Sequence, residues 1–160
     1  MRVVADSSPL ISFSILKRLD LLTLIFSEVH VPDAVVGEIS VSGKPHFKDL
    51  YTFANDKRRS VGNADAVKLL TNEVDLGEAE VIILALELGI ADVLIDDAKG
   101  RSTAQARGLH PIGTIGVLLQ AKKQGHVEEV MPYLKQLISN KIRIGKSLYQ
   151  KALELADESE

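Results

Sequence analysis

The feature that most constrains this chain is a set of short apolar runs spaced between longer segments of helical pattern. RVVA (residues 2–5), EVHV (28–31) and VLI (93–95) are too short for helices and rich in β-branched residues, and each stops at a proline or an acid. Further short strands are expected near HPIG (110–113) and at IRI (142–144). The stretches between runs are long enough to hold helices, so successive strands need not close as tight hairpins. Strand and helix in alternation indicate an α/β domain with a mainly parallel sheet. In such sheets, sites form outside the carboxyl ends of the strands.

The helical segments carry their own punctuation. Ser8-Pro9 reads as an N-cap followed by proline at the first helical position, opening a helix over LISFSILKRL. Asp20 is placed to cap LLTLIF, and Asp33 to cap AVVGEI after Pro32 has stopped the second strand. SGKP (42–45) reads as a turn before an amphipathic helix lying between residues 41 and 60. Helices are predicted over Ala64–Asn72 and over Leu76–Leu88, the latter stopped by Gly89. The remaining ones cover AKGRSTAQARG, Gly116–Gln124, Glu128–Ser139 and the stretch from Ser147 onward.

With 160 residues, 46% apolar and 26% charged, the chain suits one domain with a sizeable core, and no linker or repeat divides it. Residues 1–160 are read as that domain, with a C-terminal helical extension from about residue 127. The absence of cysteine excludes disulfides and thiolate metal sites and fits a reducing cytoplasm. Asp6 and Pro9 interrupt the first residues too early for a signal peptide, and the longest apolar run, VIILAL, is far too short to cross a bilayer. A net charge of −3 argues against a broadly basic surface, but local patches can still meet phosphates. One basic stretch, KDLYTFANDKRR (48–59), reads first as a solvated helix face.

The acids fall into a pattern. Asp6 follows the first strand, and Asp96 and Asp97 follow VLI. At about 100° per residue, Glu78 lines up with Val81, Ile82 and Ala85, opposite Glu80 and Glu87. Glu38 likewise shares a face with Ala34 and Val35. Most of these acids have an ordinary local use. Asp6 can accept from the next helix, Glu78 has the spacing of a capping box with Asp75, and Asp96 or Asp97 can be a turn or cap residue. Glu38 has no such use nearby. Together they place carboxylates at one end of one sheet, where they repel each other unless a cation intervenes. His30, His46, His110 and His126 lie away from the acids in sequence, so the ligand set is all oxygen, which favours Mg²⁺ or Mn²⁺ and metal-assisted phosphoryl transfer.

VVADSSPLI near the start, VPDAVVGEI (31–39), LGEAEVIILALELG (76–89) and VLIDDAKGR followed by STAQARGL, in this order, resemble the PIN-domain nucleases over nearly the whole chain. The closest likeness is to a PIN-like subgroup, related to VapC-type toxins, with GEAE at its third acid and a C-terminal extension like IRIGKSLYQKALELA. The resemblance implies a three-layer α/β/α fold with a central parallel sheet, four acids around Mg²⁺ or Mn²⁺, and cleavage of single-stranded or structured RNA by metal-activated water. Carried over by position, those acids are Asp6, Glu38, Glu78 and Asp97, supported by Ser7 or Ser8 and by Asp96. Arg101, one helical turn beyond Asp97, is a candidate phosphate contact, or else a solvated helix charge. A toxin role, a small antitoxin partner and a homodimer come with the likeness. Ile95 departs from it, standing two positions before the fourth acid where the family often has serine or threonine.

Two other readings compete with the metal nuclease. One is a PIN fold that keeps its acids but serves as a non-catalytic interaction module, with LLTLIF or VIILAL as contact surface. The other is a phosphoacceptor receiver domain, which needs paired acids after the first strand and a lysine after the last. Asp6 stands alone and Gly145 follows IRI, so this last reading ranks lowest.

Overall fold

Val3, Val4 and Ala5 are fully buried because their strand, β1 (Arg2–Ala5), has a neighbour on each side. The structure is a computed structural model that describes residues 1–41 and 47–160. Val4 lies opposite His30 of β2 (Glu28–Pro32) and Val93 of β4 (Asp92–Leu94). Beyond them stand β3 (Arg58–Arg59) and β5 (His110–Ile112), giving the order β3-β2-β1-β4-β5 with every pairing parallel. Each return between parallel strands runs through helices, and these flank the sheet in a three-layer α/β/α fold.

The chain therefore builds outward from β1 to β2 and β3, then crosses back to add β4 and β5 on the other side. That reversal opens a crevice above the carboxyl ends of β1 and β4, the general place for a site in such sheets. The Asp6 N–H donates to the Leu94 carbonyl (3.0 Å), tying the two strand ends together there.

Helices α1 (Ser7–Ile15) and α2 (Asp20–Ile25) follow β1, and α3 (Asp33–Ser40) and α4 (Lys48–Asp56) follow β2. Between β3 and β4 lie α5 (Ala64–Leu70) and α6 (Leu76–Leu88). Next come α7 (Ala98–Ala106), then α8 (Thr114–Lys123), α9 (Met131–Ser139) and α10 (Lys146–Leu155) after β5. Helix α6 packs across β1, β2 and β4 and is buried on nearly every side, which is why its apolar residues run in an unbroken block. Asp75 and Glu78 form its capping box, and Gly89 in the left-handed conformation (φ 68°) ends it, with Ile90 N–H on the Ala85 carbonyl (2.9 Å).

Several expectations need correction. The N-cap of α1 is Asp6, so Ser7 and Ser8 are its first residues and Pro9 its third. Asp20 and Asp33 open their helices as first-turn acids, where the free amides favour negative charge, and make no side-chain cap bond. IRI is no strand, because it stands across a cleft from the β5 edge instead of pairing with it, and α9 begins at Met131. The last strand is thus followed by Gly113, which still supplies no receiver-domain lysine. β3 was hidden inside a stretch expected to be helical. The SGKP turn and His46 lie outside the described residues. Among the described residues, no helix is long and apolar enough to cross a membrane.

Candidate active site

Asp6 emerges where β1 ends and is 6% exposed. Burial pushes its pKa up to about 7; the Ser7 amide opposes this, and the charges of Asp75, Glu38 and Asp96 add to it. Glu78 comes from the first turn of α6 and is 5% exposed. Burial lifts it to about 8, with Asp75, Asp6 and Asp97 adding repulsion against the Asp75 amide. Its Oε1 accepts that amide at a long 3.3 Å, and its buried Oε2 has no hydrogen-bond partner among the described residues. A buried carboxylate oxygen left without a donor is costly, and two raised acids side by side in a crevice are a common signature of a working site.

Glu38 stands at the crevice rim, its pKa raised by burial against a Ser7 hydrogen bond and by the charge of Asp75. The Ser7 hydroxyl donates to Glu38 Oε2 (2.8 Å), whereas Ser8 is exposed and faces a neighbouring cleft. Ser7 is therefore the hydroxyl that joins the first two acids.

The two aspartates after β4 have separate partners. Asp96 uses both oxygens on Thr114, taking its N–H and its hydroxyl at 2.7 Å each, and so holds the start of α8. Asp97 caps α7 by accepting the Gly100 N–H on Oδ2 (3.0 Å). Arg101 is half-buried and donates to the Ile95 carbonyl (3.0 Å), which holds its guanidinium beside the crevice.

Two glycines make the approach of these acids possible. A Cβ on Gly77 would collide with the Glu38 carboxylate and stand 3.4 Å from Asp6 Oδ1. One on Gly100 would collide with Glu78 Oε2 and meet Ile95 at 2.9 Å. Ile95 is fully buried, so the position where a hydroxyl was expected is a wall of the core.

The comparison with known families decides between general α/β chemistries. The family DUF3368, described as a PIN domain, matches residues 2–158. The chain belongs to the PIN-domain family. No curated protein and no solved structure matches it. PIN domains are in general nucleases that act on nucleic acid with divalent metal ions, and the all-parallel sheet fits that assignment.

The site tests how well a divalent ion suits this PIN domain. Its donors are hard oxygens, one buried oxygen is orphaned, and glycines clear space around two of the acids. Those are features a cation would satisfy. Among the described residues, however, no three histidine, aspartate or glutamate side chains already converge as a metal-binding group. Ser7, Asp75 and Gly100 draw Glu38, Glu78 and Asp97 to separate protein donors. The described histidines contribute nothing here: His30 faces Glu28 and His110 faces Asp92, at the amino end of its strand.

Sequence reasoning missed Asp75 as a site charge, seeing only a cap, although it raises the pKa of all three neighbouring acids. Thr114 and the two clearing glycines were also missed. The pairing of a glycine directly with an acid, as in LGEAE, was the available signal. Glu80 and Glu87, on the side of α6 opposite Glu78, accept backbone N–H groups from Ala34 and from Gly62 and Asn63.

Proposed function

We propose that this PIN domain is a Mg²⁺- or Mn²⁺-dependent endoribonuclease that hydrolyses RNA phosphodiester bonds, with Asp6, Glu38, Glu78 and Asp97 as the residues that hold the cation. The observation that carries this reading is Glu78 Oε2, buried without a donor between acids whose ionisation is already suppressed. A cation bound there supplies charge to offset the carboxylates, activates water and stabilises the departing oxygen. The chain's own part is positional. Ser7 orients Glu38, the capping box presents Glu78, and the β1 and β4 ends bring Asp6 and Asp97 to the same crevice. Asp97 is preferred over Asp96 as the fourth ligand because Asp96 commits both oxygens to Thr114. Asp96 then acts by fixing the start of α8.

Residues 1–160 work as one unit in this reading, in the cytoplasm. The toxin role, a small antitoxin and a homodimer rest on the likeness of the GEAE motif and the C-terminal extension to the VapC-related subgroup.

The test is cleavage of a mixed RNA pool. Activity is expected with Mn²⁺ and is expected to disappear with EDTA and with Asp6→Asn. Cleavage that survives both treatments would end the metal-nuclease reading. RNA left intact by the Mn²⁺-loaded wild-type chain would favour a non-catalytic interaction module.

A further inference from the structure

Resting on that nuclease reading, we infer that a single-stranded RNA running out of the acid crevice is held in a second place, a cleft of about 950 Å³ between β5 and the stretch 141–144. Ser8, Asp96 and Asp97 line the cleft where it meets the acids, so the two spaces are continuous.

The far wall is made by the chain reversal after α9. Lys141 takes a left-handed backbone (φ 67°), and the Ile142 N–H returns to the Leu137 carbonyl (3.0 Å). From that anchor the residues alternate: Ile142 and Ile144 are half-buried against the core, and Lys141 and Arg143 are exposed between them. All four border the cleft. This explains why the stretch reads as a strand in the sequence. It has a strand's alternation, but it stands across an open space from the sheet instead of pairing with it.

The charges then choose the occupant. Arg101 borders the acid end of the cleft, and Lys141 and Arg143 border the other wall. Among the described residues none of the three enters an ion pair with an acid, in contrast with Arg58 on Asp33 or Arg107 on Glu73. Guanidinium groups match phosphate in geometry and stack on bases. The exposed Leu148 and the two isoleucines give a floor for unpaired bases, which bind proteins through their apolar faces.

A polypeptide strand is the competing occupant, since β5 is a sheet edge. The edge is badly built for it. His110 spends its N–H on Ala91 inside the sheet (2.7 Å), so the alternation of the strand turns the nitrogen of Pro111 to the open side, where it has no hydrogen to offer. RNA needs no such donor.

The experiment is fluorescence anisotropy of a labelled single-stranded RNA oligonucleotide in EDTA, over a range of salt concentrations. The wild-type chain is compared with Lys141→Ala/Arg143→Ala and with Lys68→Ala, a charge loss on α5 outside the cleft. The double variant is expected to bind about tenfold more weakly, and its salt slope to shrink by about 1.4 for two lost phosphate contacts on a single strand. Lys68→Ala should leave both unchanged. In the cleavage assay the double variant should raise KM and keep kcat.

Equal affinity and slope in the double variant and wild type would overturn the track. So would a wild-type chain that binds no RNA but takes up an extended peptide in the cleft. RNA held through Lys141 and Arg143 without Mn²⁺-dependent cleavage would remove the nuclease reading and leave the track standing. Cleavage with KM unmoved by the double substitution would do the reverse.

Discussion

Glu78 and Glu158 are both glutamates with little exposed side-chain surface, and their surroundings treat them in opposite ways. Glu158 lies near the end of the chain with its side chain 8% exposed. Its two oxygens accept the Val130 N–H (2.7 Å), the Met131 N–H (2.9 Å) and the Lys122 ammonium (3.0 Å), while Lys122 also donates to the Ala156 carbonyl. Burial alone would raise its pKa, but the two amides and the lysine hold it below the usual carboxylate range. Glu78 has one long bond, an oxygen with no partner among the described residues, and the charges of Asp75, Asp6 and Asp97 against it, which with burial push its pKa up to about 8. The first arrangement fastens the C-terminal helices to the body. The second stores an unmet electrostatic demand, which suits a residue waiting for a cation better than one holding a fold.

Substitutions at the two places should therefore separate activity from stability. The largest effect expected is on the crevice: Asp6→Asn should lower Mn²⁺-dependent RNA cleavage by at least about 100-fold while the thermal midpoint falls little or rises. A large loss of stability together with activity would put Asp6 in the same class as Glu158.

At the clasp, Glu158→Gln should cost about 1.5–3 kcal/mol, lowering the melting temperature by about 3–10 °C in calorimetry with cleavage retained. The sign follows from its depressed pKa. The clasp contributes fully above the ordinary glutamate value of 4.5 and fades as pH falls through the lower folded value.

The crevice acids have the opposite pH signature. Their folded pKa values are raised to about 7 and about 8, so the metal-free protein binds more protons than the unfolded chain and loses stability as pH climbs from the normal carboxylate range to about 8. Glu78→Gln should flatten that decline and stabilise the metal-free chain at pH 8 by about 1–2 kcal/mol, read by denaturant titration. Added Mn²⁺ should stabilise wild type there and leave the variant unmoved.

The smallest effect sharpens the division between Asp96 and Asp97. Thr114→Val removes one of the two bonds to Asp96 and should cost about 1 kcal/mol, with Mn²⁺ affinity kept. Asp97→Asn should weaken Mn²⁺ binding in calorimetric titration, and Asp96→Asn should not. The reverse result would exchange their roles.

Much of this frame was legible in the sequence because it depends on local chemistry. The buried strands RVVA and VLI, the capping box at Asp75 and Glu78, and the stop at Gly89 are set by residues within a few positions of each other. Helix phase also placed Glu78 on the inner side of α6, where it is found. What escaped was set by partners far along the chain. The IRI stretch has strand-like alternation, but the chain reversal at Lys141 sets it across a cleft from the β5 edge. The Asp96–Thr114 contact joins the loop after β4 to the start of α8, which only the β4–β5 pairing brings together. The clearances at Gly77 and Gly100 exist only against side chains of other elements.

The bond from the Asp6 N–H to the Leu94 carbonyl has a consequence for the order of synthesis. A growing chain displays Asp6, Glu38 and Glu78 well before it can gather them, because β1 stays one-sided until β4 has left the ribosome. The crevice is then completed only when β4 docks beside β1. A nascent or truncated chain that ends before residue 94 holds three of the proposed ligands but neither Asp97 nor the Leu94 carbonyl that anchors Asp6, so the proposed site stays unfinished until β4 is made.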